Sequence, residues 1–435
     1  MTGRRRARFC LLVTLALAGA CGDGSAGSAG GEDNASASSA GGVSTVPGDH
    51  RTIQSAVDAS EPGDLVLIAP GTYHETVIVE TDDLVIRGLD RNEVIIDGEF
   101  ERENGIIVFS DGVAVENLTI RNHTQNGLFF TGDYDSEIVL RGYRAGYVTA
   151  HNNGRYGIYG FNATYGLIEN SYASGHPESG FYVGQCSPCR TLIVDSIAEN
   201  NTFGYTGTNA SHELYLAANR FVDNRVGVAP HSGATEQLPP QRDSVIVGNV
   251  ISNNNNPVHL LADRTRDIDA FFPIGVGVWI RGGNDNQILR NRLDDNMNAG
   301  VLVEVSVDTD TWIATGNRVV GNSLSGSTLD LVLIVPDVDE GPLGNCFEDN
   351  RAVGTQPVDL ERLAACGADP APLGAPATTD RFTTLDVVET SYRDMPVPGP
   401  QTQMPDAATA PARPASSLAR LDSFDPDSVG LPPGD

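Results

Sequence analysis

The 435-residue sequence predicts an all-β fold, a parallel β-helix solenoid of about ten coils, and two observations carry that expectation. The first is a repeat: the words Tyr156-Gly157-Ile158-Tyr159, Ser179-Gly180-Phe181-Tyr182, Phe203-Gly204-Tyr205-Thr206 and Val226-Gly227-Val228-Ala229 set their glycines 23, 24 and 23 residues apart. A fixed period of this size marks stacked units, and residues this strand-prone in units this short form coils rather than helices. The second is a set of asparagine pairs five residues apart: Asn117 and Asn122, Asn219 and Asn224, Asn249 and Asn254, Asn291 and Asn296, Asn317 and Asn322. Asparagine tolerates the left-handed backbone of a tight turn and can bond to the coil above and below, so these side chains are expected to seal corners.

In chain order, Arg4, Arg5 and Arg6 precede the apolar run Phe9 to Ala18, too short to span a bilayer but suited to a signal peptide over residues 1–20. Ala18-Gly19-Ala20-Cys21 resembles a bacterial lipobox, departing from it in having Ala18 where leucine is preferred. Lipidation at Cys21 and an extracytoplasmic membrane anchor made only of acyl chains are expected, with cleavage and secretion as the other outcome. Residues 21–45, rich in Gly, Ser and Ala, read as a flexible tether. The solenoid is expected over 46–370, opening on a short capping helix with Thr52 as N-cap and Ile53, Ala56 and Val57 as its apolar face. Beyond it, residues 371–435 are Pro- and Ala-rich and read as an extended or disordered tail, with Thr384 to Val388 a candidate strand.

Coil anchors continue at Gly105, Gly127, Gly157, Gly180, Gly204, Gly227, Gly277 and Gly300, with a last one near Leu331. The step of 30 from Gly127 to Gly157 predicts a coil with a long loop, and the step of 50 from Gly227 to Gly277 predicts two coils plus a loop. With the opening Ile53-Gln54-Ser55-Ala56-Val57, Pro62-Gly63-Asp64 and Ala69-Pro70-Gly71-Thr72-Tyr73, this pattern resembles the right-handed parallel β-helix proteins of the pectate-lyase-like superfamily over about residues 46–345. The resemblance implies the fold and leaves activity open, since that superfamily holds lyases, hydrolases, epimerases and proteins without catalysis.

A formal charge of −29, with all 28 basic residues arginine, excludes general affinity for nucleic acid or an anionic membrane surface. Of six cysteines, Cys10 leaves with the signal peptide and Cys21 is the lipidation site. The remaining four allow three connectivities, of which Cys186 with Cys189 and Cys346 with Cys366 is the expected one in an oxidising compartment. A redox motif at Cys186 and Cys189, or a metal site recruiting His176 or His212, is the alternative to that pairing. No metal or other cofactor is expected. Asp308-Thr309-Asp310 and Asp337-Val338-Asp339-Glu340 carry calcium-type ligands but read first as solvated acidic turns.

Alternation along each anchor strand supplies the candidate site. Taking the residue after each glycine as inward gives the core column Ile106, Leu128, Ile158, Phe181, Tyr205, Val228, Val278 and Val301. The outward columns then hold Phe129, Tyr159, Phe161, Tyr182 and Trp279 beside Thr208, His231, Arg281 and Glu304. Such a stripe is expected to bind a polysaccharide or cell-surface glycan through Phe129, Tyr159, Phe161, Tyr182, Thr208 and Trp279. Were it also to modify that glycan in a lyase- or epimerase-like way, His231 is the candidate base, Arg281 the carboxylate clamp and Glu304 the acid. The competing expectations are a stripe covered by the loops 131–150 or 232–244 or by the tail, in a non-catalytic structural or adhesive solenoid with a protein partner, and a periplasmic metal-handling protein. None of the superfamily's catalytic words is present: no Asp-Pro-His-Asp, no Asn-Thr-Asp and no calcium-binding aspartate set.

Overall fold

The computed structural model describes residues 41–133, 138–261, 273–386, 388–416 and 418–434. The signal segment and Cys21 lie outside the described residues. Three long parallel sheets, of twelve, eleven and ten strands, run the length of the solenoid. One coil is typical: Tyr156–Phe161 lies in the eleven-stranded sheet, Ala163–Glu169 in the twelve-stranded sheet and Tyr172–Ser174 in the ten-stranded sheet, before Ser179–Gly184 begins the next. The twelve-stranded sheet makes the coil count larger than the ten expected. It begins with Val43–Val46, which straddles the expected boundary between tether and solenoid at residue 46 and pairs with Leu65–Ile68. The helix Ile53–Asp58 follows, closed by a Thr52–Ser55 capping box, and buries Ile53, Ala56 and Val57 against the first coil.

The glycine column has a steric cause. A Cβ on Gly127, Gly157, Gly204, Gly227 or Gly277 would lie 2.5–2.7 Å from the carbonyl oxygen of the anchor glycine in the next coil. Coils stack there with no room for a side chain, about 4.8 Å apart. The core column from Ile106 to Val301 is fully buried behind it. The 50-residue step turns out to be one coil and not two, because Val226–His231 pairs directly with Val276–Arg281. The extra length is an arm whose strand Val258–Leu261 pairs with Val388–Ser391 from the tail.

The asparagines form ladders inside the corners, and the expected division of labour is corrected in one respect. Left-handed backbone falls mostly on the residue before each ladder asparagine: Ala218 (φ 53°), Gly248 (64°), Arg290 (50°) and Gly321 (69°) precede Asn219, Asn249, Asn291 and Asn322. That turn aims the next side chain inward. Asn249 then donates from its backbone and side-chain nitrogens to Asn291 Oδ1 (3.0 and 2.9 Å), while Asn291 Nδ2 donates to the Ile246 carbonyl and to Asn322 Oδ1 (2.8 and 3.0 Å). Asn317 and Asn322 belong to different ladders, Asn317 bonding to Asn286 and Asn345.

The described residues of the tail run along the outside of the solenoid and pack on it. Ala415, Leu418 and Leu421, with Phe424 and Val429, cover an apolar stripe on the outside of the twelve-stranded sheet that includes Leu167, Leu192, Val245 and Leu289. Arginines tie it down: Arg87 donates to the carbonyls of Ala407, Ala410 and Pro411, and Arg290 to those of Val429 and Pro426. Glu116, fully buried, bridges Arg87 and Arg144, and Glu169 bridges Arg144 to Arg420 of the tail. Burial opposes the charge on Glu169, and Arg144 and Arg420 outweigh it, so its carboxyl sits below the usual range.

Both expected disulfides are present, Cys186 with Cys189 and Cys346 with Cys366. Asn291→Ala should destabilise the solenoid by on the order of 3 kcal/mol, since each buried donor or acceptor left unpaired costs roughly 1–3 kcal/mol. Denaturant unfolding measures this; a loss under about 0.5 kcal/mol, the range of an ordinary surface substitution, would show the ladder to be dispensable.

Candidate functional site

The outward columns lie in register as expected: Phe129 beside Tyr159, Tyr159 beside Tyr182, Thr208 beside His231, His231 beside Arg281, and Arg281 beside Glu304. His231 and Arg281 are therefore on adjacent strands, closer than a two-coil separation. The stripe is not a flat open platform. Tyr182 and Trp279 are only 2% and 4% exposed, because two segments roof it. The loop 232–241 lies over Tyr182, and the tail residues Ala377 and Phe382 pack on Trp279, Leu302 and Val332.

Beside the loop opens a cavity of about 480 Å³ whose walls include Tyr159, Phe161, Tyr182, Thr208, His231, Trp279 and Arg281. Phe129 and Glu304 do not line it. Phe129 stacks on Tyr159 with centroids 4.5 Å apart, and Glu304 Oε1 accepts from the indole Nε1–H of Trp279 at 2.6 Å.

The structure adds Arg155, Tyr156, Glu178, Phe203 and Glu236 to the walls. Strict alternation turns Tyr156 and Phe203 inward. The rhythm breaks at the anchor glycine, however, where Gly157 and Ile158 both face the core and Tyr156 is thrown outward onto Tyr159 and Tyr182 (centroids 4.5 and 4.9 Å). The crowded glycine itself signals this break. Glu236 has no comparable signal, since it sits on an irregular loop whose path depends on distant partners.

Gly184 allows the most consequential contact. A Cβ there would lie 2.4 Å from the Tyr182 ring, so glycine lets the phenol lie along its own strand. The Tyr182 hydroxyl then donates to Glu236 Oε1 (2.5 Å) and accepts from the Thr208 N–H (3.3 Å). Glu236 Oε2 is buried without a hydrogen-bond partner. Burial pushes the Glu236 carboxyl up to about 7, with nearby Glu178 adding to the rise and Tyr182 and Arg155 opposing it.

His231 Nδ1 faces the Ala229 carbonyl (3.3 Å) and Nε2 the Thr208 hydroxyl (3.0 Å). A carbonyl only accepts, so Nδ1 carries the proton and Nε2 accepts from Thr208. Burial and the charge of Arg281 lower His231 to about 4, leaving a neutral imidazole at neutral pH. Burial also lowers Arg281 below its usual value, but an arginine stays charged; its guanidinium lies 5.1 Å from the Trp279 ring centroid.

The other candidates have structural partners. Asp308 accepts from the Ala234 and Asp310 N–H groups, holding the loop 232–241, and Asp337 caps the turn Val338–Glu340. The disulfide takes both thiols of Cys186 and Cys189, His176 bonds to Asn201 and Asn153, and His212 pairs with Asp243. Among the described residues no group of three His, Cys, Asp or Glu side chains is placed to hold a metal ion, which leaves the metal-handling alternative without a ligand set there.

Residues 89–241 match the family described as Right handed beta helix region. The fold is a right-handed parallel β-helix. No curated protein matches the chain. Among solved structures it is similar to the A-module of Azotobacter vinelandii mannuronan C-5 epimerase AlgE4, at 17% identity over 73% of this chain and 94% of that one, with a TM-score of 0.49. The AlgE6 A-module follows at 16% identity, 70% and 92% coverage and a TM-score of 0.48, and pectate lyase Pel9A at 15%, 81%, 84% and 0.43.

A carboxyl raised from 4.5 to about 7 binds its proton more tightly folded than unfolded. Its stabilising contribution is complete below pH 4.5 and is lost as pH rises through about 7, a change on the order of 3 kcal/mol. Glu236→Gln should remove that decline from a plot of unfolding free energy against pH. Superposable plots for the two proteins would place the carboxyl in an ordinary solvated setting.

Proposed function

We propose that this β-helix binds an acidic polysaccharide in the cavity and modifies it by proton transfer at a uronate, as a lyase or an epimerase does. The observation that carries the reading is the pairing of His231 with Arg281 on adjacent strands beside aromatic walls. Aromatic faces take sugar rings, a buried guanidinium neutralises a uronate carboxylate, and a neutral acid–base group can then work at the carbon that carboxylate acidifies. In a chain of net charge −29, a local arginine is what an anionic ligand requires.

The same reading makes the protein exported and held at a membrane by lipid on Cys21. The two disulfides support an oxidising compartment. A second reading, a non-catalytic solenoid, is supported by the packing of Ala377 and Phe382 of the tail with Trp279, Leu302 and Val332.

Calorimetric screening of the full chain against neutral and uronate polysaccharides separates the two. Binding confined to uronate polymers, weakened about tenfold or more by Arg281→Gln without a shift in melting temperature, is the expected result. Absence of binding across the panel would favour the structural solenoid.

A further inference from the structure

We propose that Tyr182 and Glu236 form the proton relay of this cavity, with Tyr182 meeting the sugar and Glu236 holding the proton behind it. The inference rests on the reading that the cavity modifies a uronate polymer, and it names the residues and the substrate stereochemistry. The phenol is set between a donor and an acceptor, the Thr208 N–H at 3.3 Å and Glu236 Oε1 at 2.5 Å. The first stabilises negative charge on the phenol oxygen and the second takes its proton.

Pinning the loop 232–241 does not account for the pair. Asn209 Nδ2 already donates to the carbonyls of Gly233 and Glu236 (both 2.8 Å), Gln185 Oε1 accepts from the Gln237 N–H (2.9 Å), and Asp308 holds Ala234. A carboxyl with Oε2 buried and unpartnered is a costly addition to a loop already held. The charged and titratable groups around it are Tyr156, Tyr159, Tyr182 and Tyr205, Arg155, which favours its ionised form, and Glu178, which opposes it.

The step balances on a 4-linked uronate whose carboxylate is neutralised by arginine. The Tyr182 oxygen takes the C5 proton as its own proton passes to Glu236. The C5 electron pair forms the C4=C5 double bond, and the bond from C4 to the glycosidic oxygen breaks. Tyr182 then gives its proton to the departing oxygen and regains one from Glu236. Both side chains end as they began, and the products are a 4,5-unsaturated uronate and a new reducing end.

One phenol oxygen serving both positions requires the C5 hydrogen and the C4 oxygen to lie on the same face of the ring. Manno- and gluco-configured uronates meet that condition; galacto-configured ones do not.

The test uses the full chain, polymannuronate and polygalacturonate, with calorimetric binding and ultraviolet absorbance of unsaturated ends read separately. Tyr182→Phe and Glu236→Gln keep the shape of each side chain, and their melting temperatures check folding. Wild type is expected to release unsaturated ends from polymannuronate and not from polygalacturonate. Each variant should bind within about threefold of wild type and turn over at least about 100-fold more slowly, the range of a lost acid–base group. Glu236→Asp should recover part of the rate, and the wild-type inflection near pH 7 should disappear in Glu236→Gln.

Turnover unchanged in either folded variant, or preferential cleavage of polygalacturonate, would overturn the relay. Wild-type binding of polymannuronate with no new ends would also overturn it while leaving the binding function standing. No binding of either polymer would remove both.

Discussion

Close stacking of backbone at the glycine column is the constraint on which the rest of this solenoid depends. Where a carbonyl of the next coil lies 2.5–2.7 Å from a would-be Cβ, as at Gly127, Gly157, Gly204, Gly227 and Gly277, the coil must pass as glycine. That passage sets the register of the eleven-stranded sheet and interrupts its alternation. The residue before the glycine swings outward, which brings Tyr156 onto Tyr159 and Tyr182 and turns a ladder of single rings into a cluster. The chemistry of the cavity follows from a packing rule in the core.

Desolvation then governs the electrostatics. Tyr182, Glu236, His231 and Arg281 are drawn together under a roof, and burial moves each toward its neutral form. An ordinary solvated surface of the same composition would hold an ionised glutamate and a histidine titrating near its usual value. Here the imidazole is neutral and the carboxyl is poised near neutrality. The roof is made by a loop held through Asn209, Gln185 and Asp308, so groups with no chemistry of their own set the properties of those that have it.

The tail shows a second use of arginine. Its proline-rich backbone forms few ladders and leaves carbonyls pointing outward, and Arg87, Arg91 and Arg290 donate to them from the coils. A planar guanidinium with several donors suits this better than an ammonium. Buried carboxylates at Glu116 and Glu169 balance the charge that accumulates. A segment that composition marks only as Pro- and Ala-rich covers the coils through partners supplied by another part of the chain.

Local repetition was legible because each coil meets the same neighbours: the glycine spacing, the core column and the outward register all follow from contacts that recur along the coils, while the disulfide at Cys186 and Cys189 was legible because its two cysteines are three residues apart. The long step from Gly227 to Gly277 misled because chain length does not say whether residues go into a coil or into an arm. Tyr156 was obscured by assuming an unbroken strand, and Glu236 by lying on a loop with no period. The solenoid, its core and the stripe of aromatic and charged residues on one face are written in the order of the residues, since periodic side chains specify periodic contacts. That the stripe is roofed, which groups line the remaining cavity and how burial sets their protonation emerge only on folding, because those depend on irregular segments meeting residues tens to hundreds of positions away.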